Sequence, residues 1–248
     1  MPGTWPGMAL LVLVVRAKLP MRLLAIDTAL EACSVALLDG DTVAAQETQA
    51  MARGHAEALM PMLARLQENA AFYFAVIDRI AVTVGPGSFT GLRVGISAAR
   101  GIALATAKPV VGITTLEALA APLIAGDASS PVVSVIDARH NHVYLQAFGT
   151  DGDDLVSPRV VSLAEAIELV MPLRPRLVGN GAAMLAAAWP PGEAPPAGID
   201  QQAAPMIEWV GRLGQLADIA AAPPKPFYLR APDAQPPTPA LAAQAARP

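Results

Sequence analysis

Apolar runs separated by short polar turns predict two similar sets of strands and helices along this chain. The first set opens with three such runs, at residues 23–27, 33–38 and 42–48. Asp39-Gly40-Asp41 separates the second run from the third, and Asp-Gly between strands is typical of a tight hairpin turn. The pattern therefore predicts an antiparallel three-stranded meander.

The period of the apolar positions then changes from that of a strand to that of a helix. Over residues 54–69, apolar side chains recur at i, i+3, i+4 and i+7, namely Leu59, Met62, Leu63 and Leu66. This spacing places them on one side of an amphipathic helix.

A strand–turn–helix–strand unit follows over residues 80–113. An apolar strand at 80–84 ends in Gly85-Pro86-Gly87, the polar step Ser88-Phe89-Thr90 follows, and a small-residue helix covers 90–107 before a short strand at 109–113. A glycine-rich turn at a helix N-terminus directs backbone N–H groups at whatever lies there. The turn is therefore either an anion site or a tight turn that caps the helix through Ser88 or Thr90.

The turn departs from each phosphate-binding or nucleophile motif that it resembles. Leu92 follows Gly91, where a Walker A sequence has lysine, and Thr90 stands at the third glycine position of the dinucleotide fingerprint. A nucleophile elbow has glycine two residues before its serine, and Pro86 stands there instead.

Small residues recur every four positions along the helix at 90–107. Gly91, Gly95, Ala99 and Ala103 form this line, and glycine in a helix interior costs about 1 kcal/mol relative to alanine. The line therefore predicts that another helix approaches closely.

The second set of elements repeats the first. When Asp27 is placed on Asp137, the strand, aspartate, polar turn and second strand of the first set align with residues 132–137 and 142–148. We therefore predict two similar lobes, each of which opens with a hairpin whose turn carries an aspartate.

The remaining segments complete the second lobe. The pattern predicts a loop at 120–130, a helix at 162–170 capped by Ser162, a strand at 176–178 ending in Gly179-Asn180-Gly181, a Pro/Gly loop at 190–199, a helix at 206–219 and an extended piece at 226–230. The Pro/Ala/Gln-rich residues from Ala231 onward are predicted to be disordered.

Composition narrows the class of protein. The chain has 248 residues, is 54% hydrophobic and carries a net charge of −4, which argues against a stand-alone nucleic-acid binder. The single cysteine, Cys33, excludes an internal disulfide and a multi-cysteine metal site, and is typical of a reducing cytoplasm. The apolar run at 8–15 is too short to span a bilayer. Residues 1–20 are interpreted as an extension before the native start or as a disordered or loosely docked segment, with an edge strand at 9–15 as the alternative.

Few polar residues form a catalytic pattern. Asp27 and Asp137 suit magnesium or phosphate binding, and equally suit turns. His55 and Glu57 point to different sides of a helix, which favours a structural or interface role. Cys33 is expected to be a small buried residue.

His140 and His142 have no carboxylate–histidine spacing that completes a metal site. The sequence therefore predicts no metal site and no catalytic residue.

Five segments together resemble the TsaB (YeaZ) family. They are MRLLAIDTALEACSVALL, RGHAEALMPML, GPGSFTGLRVGISAARGIALATAKPVVGITTLEALA, VIDARHNHVY and FYLRAPDA, and the resemblance covers about residues 21–234. It implies the α/β, two-lobed actin-like ATPase fold of Hsp70 and sugar kinases, with duplicated mixed-sheet lobes at 21–122 and 131–232. Residues 1–20 lie outside the family pattern, and 233–248 are expected to be a disordered tail.

The resemblance implies a non-catalytic subunit needed for t6A modification of adenosine 37 in tRNAs that read ANN codons. Such a subunit binds and activates a TsaD-type threonylcarbamoyltransferase, and a TsaE-type ATPase and tRNA engage the complex. The TsaD paralogue carries a His-x-x-x-His metal pair where this chain has Thr115 and Leu119. No cofactor of its own is therefore expected, with ATP/ADP and metal on the partner subunits.

The resemblance also implies functional positions. The partner interface would lie on the two first-lobe helices, and we predict for it His55, Glu57, Leu59, Met62, Leu63, Leu66, Gly91, Leu92, Gly95, Ala98 and Ala99. A structural turn is predicted at Gly85, Pro86, Gly87, Ser88 and Thr90, and degenerate nucleotide-motif positions at Asp27, Thr28, Asp137, Gly179 and Gly181.

Three further hypotheses accompany this prediction. The chain could form a homodimer when alone, through the same helices. It could instead be an ATP-binding or hydrolysing enzyme of the actin-like fold. A third alternative is an M22-type metallopeptidase, against which the missing histidine pair argues. A cytoplasmic protein without a membrane contact is expected.

Overall fold

Two five-stranded mixed sheets form the frame of the computed structural model, which describes residues 21–70 and 74–230. The first lobe contains β1 (Arg22–Asp27), β2 (Ala32–Asp39), β3 (Thr42–Ala50), α1 (His55–Asn69), β4 (Arg79–Gly85), α2 (Phe89–Thr106), β5 (Val110–Thr114) and α3 (Thr115–Gly126). The second contains β6 (Val132–Asp137), β7 (His142–Phe148), β8 (Asp154–Ser162), α4 (Leu163–Val170), β9 (Arg176–Val178), α5 (Ala182–Ala187), β10 (Gly198–Asp200) and α6 (Ile207–Leu216).

The two sheets have the same topology. Their strand orders are β3-β2-β1-β4-β5 and β8-β7-β6-β9-β10, so each lobe begins with an antiparallel meander and adds two parallel strands. The predicted duplication and the two-lobed actin-like fold class are confirmed.

Helices α3 and α6 lie in the middle of the molecule and cross between the lobes. Helix α6 packs on β1 and β4 of the first sheet, although it follows the last strand of the second sheet in sequence. Helix α3 follows β5 but packs on β6. Each half of the chain therefore contributes one helix to the other half's sheet. The lobe boundaries predicted from the sequence, 21–122 and 131–232, stay a prediction.

The first sheet is covered on both faces. Adjacent residues of a strand point to opposite faces, and on β4 Ala81 contacts α6 whereas Val82 contacts α2. This burial explains why β1 and β4 are almost continuously apolar. The layers run from α1 and α2 through the first sheet, the α6–α3 layer and the second sheet to α4 and α5.

An arginine at the start of each sheet's fourth strand caps the exchanged helix. Arg79 on β4 donates from Nη1 to the carbonyls of Gly214 and Ala217 at the C-terminus of α6, both at 2.8 Å. Arg176 on β9 donates to the carbonyl of Leu123 in the last turn of α3 and to those of Asp127 and Ser130 just after it. The guanidinium groups thereby bind carbonyls at the C-terminal ends of the two helices, where basic side chains interact favourably.

Most elements match the sequence prediction, and one clear error concerns α3. Residues 120–130 were predicted as a loop, but Thr115–Gly126 is a buried helix. Its start carries a capping box, in which Thr114 and Glu117 satisfy each other's backbone N–H groups. The helix is apolar on all sides, so it shows no amphipathic period.

Smaller differences concern the second lobe. The loop predicted at 190–199 includes the first residues of strand β10, and β8 and α5 were not predicted. Ser162 caps α4 as expected, since its Oγ accepts from the N–H of Glu165 at 3.3 Å.

The predicted terminal segments, 1–20 and 233–248, lie outside the described residues. Within the described part of the chain, no helix is long and apolar enough to cross a membrane.

Candidate functional site

A cleft of about 360 Å³ lies between the two lobes. Its walls come from the turn after β1, the glycine-rich turn before α2, the β6–β7 turn and the C-terminal extended segment. The lining residues are Ala29, Leu30, Glu31, Ala52, Gly87, Ser88, Phe89, Ile136, Asp137, Ala138, Arg139, Tyr144, Asn180, Tyr228 and Arg230.

Asp27 lies fully buried behind the first-lobe wall of the cleft. Its Oδ1 accepts from the Thr83 hydroxyl at 2.6 Å and from the N–H of Ala29 at 3.0 Å. Oδ2 contacts no donor among the described residues. Burial raises the pKa of Asp27 to about 6, although the hydrogen bond from Thr83 opposes the shift. Asp27 therefore acts within the fold and does not face the cleft.

His55 and Cys33 are also structural. His55 is buried, and its Nε2 lies 3.1 Å from the carbonyl of Leu30, so it supports the turn that lines the cleft. Glu57 is exposed, so the two side chains point apart as predicted. Cys33 is buried as expected. Burial, and to a smaller extent the charge of the nearby Asp27, raises the pKa of its thiol to about 11.

The glycine-rich turn is packed tightly against the turn after β1. Ser88 donates its N–H to the carbonyl of Ala29 at 2.7 Å, and its Oγ accepts from the N–H of Gly91 at 3.2 Å. A Cβ on Gly87 would overlap the Ala29 carbonyl. Of the two predicted caps, Ser88 is the one that caps α2.

The second-lobe turn has a different environment. Asp137 is exposed, and its Oδ1 accepts from the N–H of Arg139 at 2.7 Å. Asn180 accepts the N–H of Asp137 on its Oδ1 at 3.0 Å. Arg139, His140 and Asn141 all have φ between 53° and 63°, the left-handed region that non-glycine residues rarely adopt. Three successive residues in this region mark the turn as strained.

Gly179 and Gly181 shape the second lobe behind this turn. A Cβ on Gly179 would overlap the Val135 carbonyl, and Gly181 donates its N–H to the same carbonyl at 3.0 Å. These predicted nucleotide-motif positions therefore pack on β6, and Asn180 between them faces the cleft.

Several backbone N–H groups of the two turns already have acceptors within the chain. In the first lobe, the N–H groups of Ala29 and Ser88 already donate to acceptors of the chain. In the second, Asp137 donates to Asn180, Ala138 to the carbonyl of His142, and Arg139 to Asp137. An anion site needs such backbone donors to be available.

The C-terminal segment crosses the front of the cleft, and sequence analysis predicted only that it is extended. Phe227 donates its N–H to the carbonyl of Val84 at 2.7 Å, and Arg230 donates to the carbonyl of Ala138 at 3.3 Å. A Cβ on Gly85 would lie 2.9 Å from the Phe227 carbonyl, and one on Gly112 would lie 2.8 Å from that of Pro223. Gly85 and Gly112, which lie on adjacent strands, are the feature of the sequence that could have indicated this crossing.

An aromatic pair at the cleft was missed by sequence analysis. The rings of Phe89 and Tyr228 lie 5.4 Å apart at 31°, and the Arg93 guanidinium lies 3.8 Å from the Phe89 ring centre. Phe89 and Tyr228 are 139 positions apart in sequence, so local pattern gives no signal of their contact.

The structure corrects most of the predicted partner interface. Nine of its eleven residues are buried inside the chain itself, namely His55, Leu59, Met62, Leu63, Leu66, Gly91, Leu92, Gly95 and Ala99. Ala98 is half-buried and Glu57 is exposed. The apolar stripe of an amphipathic helix covers its own sheet first.

The line of small residues on α2 also has an internal reason. A Cβ on Gly91 would overlap the Thr28 carbonyl, and one on Gly95 would overlap the Thr28 hydroxyl. Thr28 in turn donates that hydroxyl to the carbonyl of Gly91 at 2.7 Å. The glycines therefore admit the β1 turn and not another helix.

The outward sides of α1 and α2 carry a different set of residues. Ala56, Met60 and Ala64 are exposed along α1, and Ser97, Gly101 and Leu104 along α2. Met60 is 58% and Leu104 is 87% exposed. A Cβ on Gly101 would meet nothing within 4 Å, so this glycine has no packing reason within the chain.

Thr115 and Leu119, the two positions that the resemblance aligns with a histidine pair, are fully buried on α3. His142 and His140 lie together on the β6–β7 turn, where His142 Nδ1 is 2.8 Å from the His140 carbonyl. No group of three His, Cys, Asp or Glu residues in residues 21–70 and 74–230 is placed to hold a metal ion.

Comparison with protein families gives a match over most of the chain. Residues 25–222 match the model described as TsaD, tRNA N6-adenosine threonylcarbamoyltransferase. The solved structure of YeaZ from Pseudomonas aeruginosa superposes with a TM-score of 0.69 at 27% identity, covering 84% of this chain and 100% of that one.

Curated relatives agree with this match. The tRNA threonylcarbamoyladenosine biosynthesis protein TsaB of Escherichia coli (strain K12) is 39% identical over 131 residues, 53% of this chain and 56% of that protein. The chain thus spans about half the length of this relative. An uncharacterized protein of Mycobacterium tuberculosis is 33% identical over 220 residues, 86% of this chain and 93% of its own length. The chain therefore belongs to the family of the TsaD model and, within it, to the TsaB (YeaZ) group.

Proposed function

We propose that this chain is a non-catalytic TsaB-type subunit in the biosynthesis of threonylcarbamoyladenosine in tRNA. In this role it binds a TsaD-type subunit and activates threonylcarbamoyl transfer to adenosine 37 of tRNAs that read ANN codons. A TsaE-type ATPase and the tRNA engage the same complex. The observation that carries the proposal is the similarity to TsaB proteins together with the superposition on YeaZ, which covers 84% of this chain and all of that one.

The buried positions of Thr115 and Leu119 support a non-catalytic role. A metal ligand needs a coordinating side chain that faces a site, whereas Leu119 has no donor atom and Thr115 is enclosed in the core. We therefore assign the metal and the nucleotide of the reaction to the partner subunits. The same absence of a ligand group disfavours a metallopeptidase.

We assign the partner interface to the outward sides of α1 and α2. Met60 and Leu104 are large exposed apolar side chains on neighbouring helices that pack on each other. Gly101 lets a partner helix approach without a steric conflict. The same surface would serve a homodimer when the chain is alone, since exposed apolar patches mark interaction sites.

Reconstitution tests the function. Unmodified tRNA, threonine, bicarbonate and ATP are combined with a threonylcarbamoyl-AMP synthase, the TsaD-type and TsaE-type subunits, with and without this chain. We expect t6A formation to depend on the chain. Equal t6A yields in its absence would contradict the proposal.

Two substitutions test the interface. Leu104→Glu and Gly101→Trp are each expected to weaken binding of the TsaD-type subunit by at least about tenfold, because they place a charge or bulk on the contact surface. Leu155→Glu on β8, where Leu155 is 48% exposed, is the matched control. Gly95→Trp is unsuitable, since the side chain would enter the core at Thr28. Unchanged affinity for both variants would place the interface elsewhere.

A further inference from the structure

We propose that the interlobe cleft binds one unstacked nucleotide of single-stranded RNA, with the base on Tyr228 and the ribose at Asp137 and Asn180. This inference rests on the proposed function, which brings an RNA to the complex. It concerns a different surface from the partner interface, so the two can be tested separately.

A preformed stacking column supports base binding. The Arg93 guanidinium covers the Phe89 ring at 3.8 Å, and Phe89 contacts the Tyr228 ring at 5.4 Å between centres. Tyr228 is 42% exposed and lines the cleft, so a base on its open side extends the column. Proteins bind unstacked RNA bases on aromatic rings and guanidinium planes in this way.

The backbone of the column is fixed before any ligand arrives. The neighbouring Phe227 is hydrogen-bonded through its N–H to Val84, and Arg100 donates to the carbonyl of Pro224 at 2.6 Å. Phe89 is the first residue of α2, directly after the cap Ser88. A fixed platform loses little conformational entropy on binding.

The size of the cleft suits one nucleotide. Its volume of about 360 Å³ is at the small end of ligand pockets, which span about 300–1,000 Å³. A helical stem does not fit such a volume, and a single extruded nucleotide does.

The second-lobe wall presents a donor next to an acceptor. Because Asn180 accepts the Asp137 N–H on Oδ1, its amide NH₂ is left to donate, and no residue of the described chain accepts from it. The exposed Asp137 carboxylate offers an acceptor beside it. A ribose 2′-hydroxyl both donates and accepts a hydrogen bond, so this pair favours RNA over DNA.

Charge at the cleft distinguishes RNA from ATP. Arg139 lines the cleft and forms no ion pair with any described residue, so it can contact one phosphate. Glu31 and Asp137 line the cleft as well, so two carboxylates lie near any anion that binds there. A triphosphate carries more negative charge than a single phosphate and is therefore disfavoured, whereas the single phosphate of an RNA nucleotide is tolerated.

Fluorescence anisotropy with the full chain tests this proposal. A labelled adenosine RNA hexamer is titrated in parallel with the deoxyadenosine hexamer, and ATP is added as a competitor. We expect RNA to bind more tightly than DNA, ATP at equal concentration not to displace it, and a salt slope of about −0.7, for one phosphate contact. Wild-type RNA binding weaker than about 10⁻⁴ M, or displacement by equimolar ATP, overturns the proposal.

Variants locate the binding. Tyr228→Leu is expected to weaken RNA binding by about tenfold or more, Tyr228→Phe to preserve it, and Asp137→Ala to reduce the preference for RNA over DNA. Leu155→Ala, at an exposed position on β8, is the control for Tyr228→Leu. Unchanged RNA affinity of Tyr228→Leu, with an unchanged melting temperature, overturns the proposal.

The same variants separate this inference from the proposed function. Tyr228→Leu is expected to co-elute with the TsaD-type subunit as wild type does, because Tyr228 is not on the outward sides of α1 and α2. Failure of the wild type to co-elute contradicts the proposed function and leaves the RNA titration of the isolated chain as an independent result.

Discussion

The β1–β2 turn and the β6–β7 turn occupy equivalent places in two sheets of identical topology, yet they do opposite things. In the first, Asp27 is buried and bonded to its own lobe, and the glycine-rich turn closes over Thr28 and Ala29. In the second, Asp137 is exposed at the cleft. The two lobes therefore place an aspartate at equivalent positions, but the two aspartates have different roles.

The helices on the outer faces of the two sheets also differ, in their length. On the outer face of the first sheet, α1 has 15 residues and α2 has 18, whereas α4 and α5 on the second sheet have 8 and 6. The first lobe therefore offers an extended helical surface, and the second contributes polar groups to the cleft. Four predictions test this division, beginning with the largest effect.

Replacement of Gly91 is expected to damage the first lobe most. Gly91→Leu would place a side chain on the Thr28 carbonyl, and we expect a loss of about 3 kcal/mol or more in the free energy of unfolding. Gly101→Leu on the same helix is the control, since its position faces open space. Urea denaturation compares the two. Equal stabilities would show that the first-lobe turn is not tightly packed.

The buried aspartate of the first lobe should make the stability of the fold depend on pH. The folded-state pKa of Asp27 is raised to about 6, so the carboxyl stabilises the fold when protonated, fully below pH about 4, and this contribution is lost as the pH rises through 6. Asp27→Asn removes this loss, which amounts to about 3 kcal/mol. Parallel stability curves for Asp27→Asn and wild type between pH 4 and 7 would contradict the prediction.

The two capping arginines should behave alike despite their different lobes. Arg79→Ala and Arg176→Ala each remove hydrogen bonds to carbonyls at the end of an exchanged helix, so we expect each to cost about 2 kcal/mol. Arg174→Ala, an exposed neighbour, is the control. Thermal unfolding monitored by circular dichroism measures the effect. A loss of stability in only one of the two variants would show that the two arginines do not have equivalent roles in the two lobes.

The smallest effect is expected from the helix caps. Ser88→Ala and Ser162→Ala each remove a hydroxyl that accepts from the first turn of a helix, at a cost of about 1 kcal/mol. Replacement by threonine, which keeps the hydroxyl, is the control in each case. If Ser88→Ala has no effect on stability, packing alone fixes the start of α2.

The sequence was sufficient for the elements whose signal is local. The period of α1, the cap Ser162 and the strand–aspartate–turn repeat each depend on neighbouring residues, and each is confirmed. The buried helix α3 was missed because an all-apolar segment carries no amphipathic period.

Local pattern could not decide what the apolar stripes of α1 and α2 cover. Leu59 and Leu63 would have the same spacing whether they faced a partner or their own sheet, and the structure places them in the core. The cleft was only partly predicted for a similar reason. Asp137 was recognised by the repeat, whereas Phe89 and Tyr228 meet only through the crossing of the C-terminal segment.

The position of α6 has a consequence for the order in which the molecule is completed during synthesis. The ribosome makes the first sheet early, but Leu23, Leu38 and Ala81 are covered by Gly211 and Gly214 of α6, which emerges more than 100 residues later. Until then the inner face of that sheet is an exposed apolar surface, of the kind that chaperones bind. The half of the chain that is translated first is therefore the half that finishes folding last.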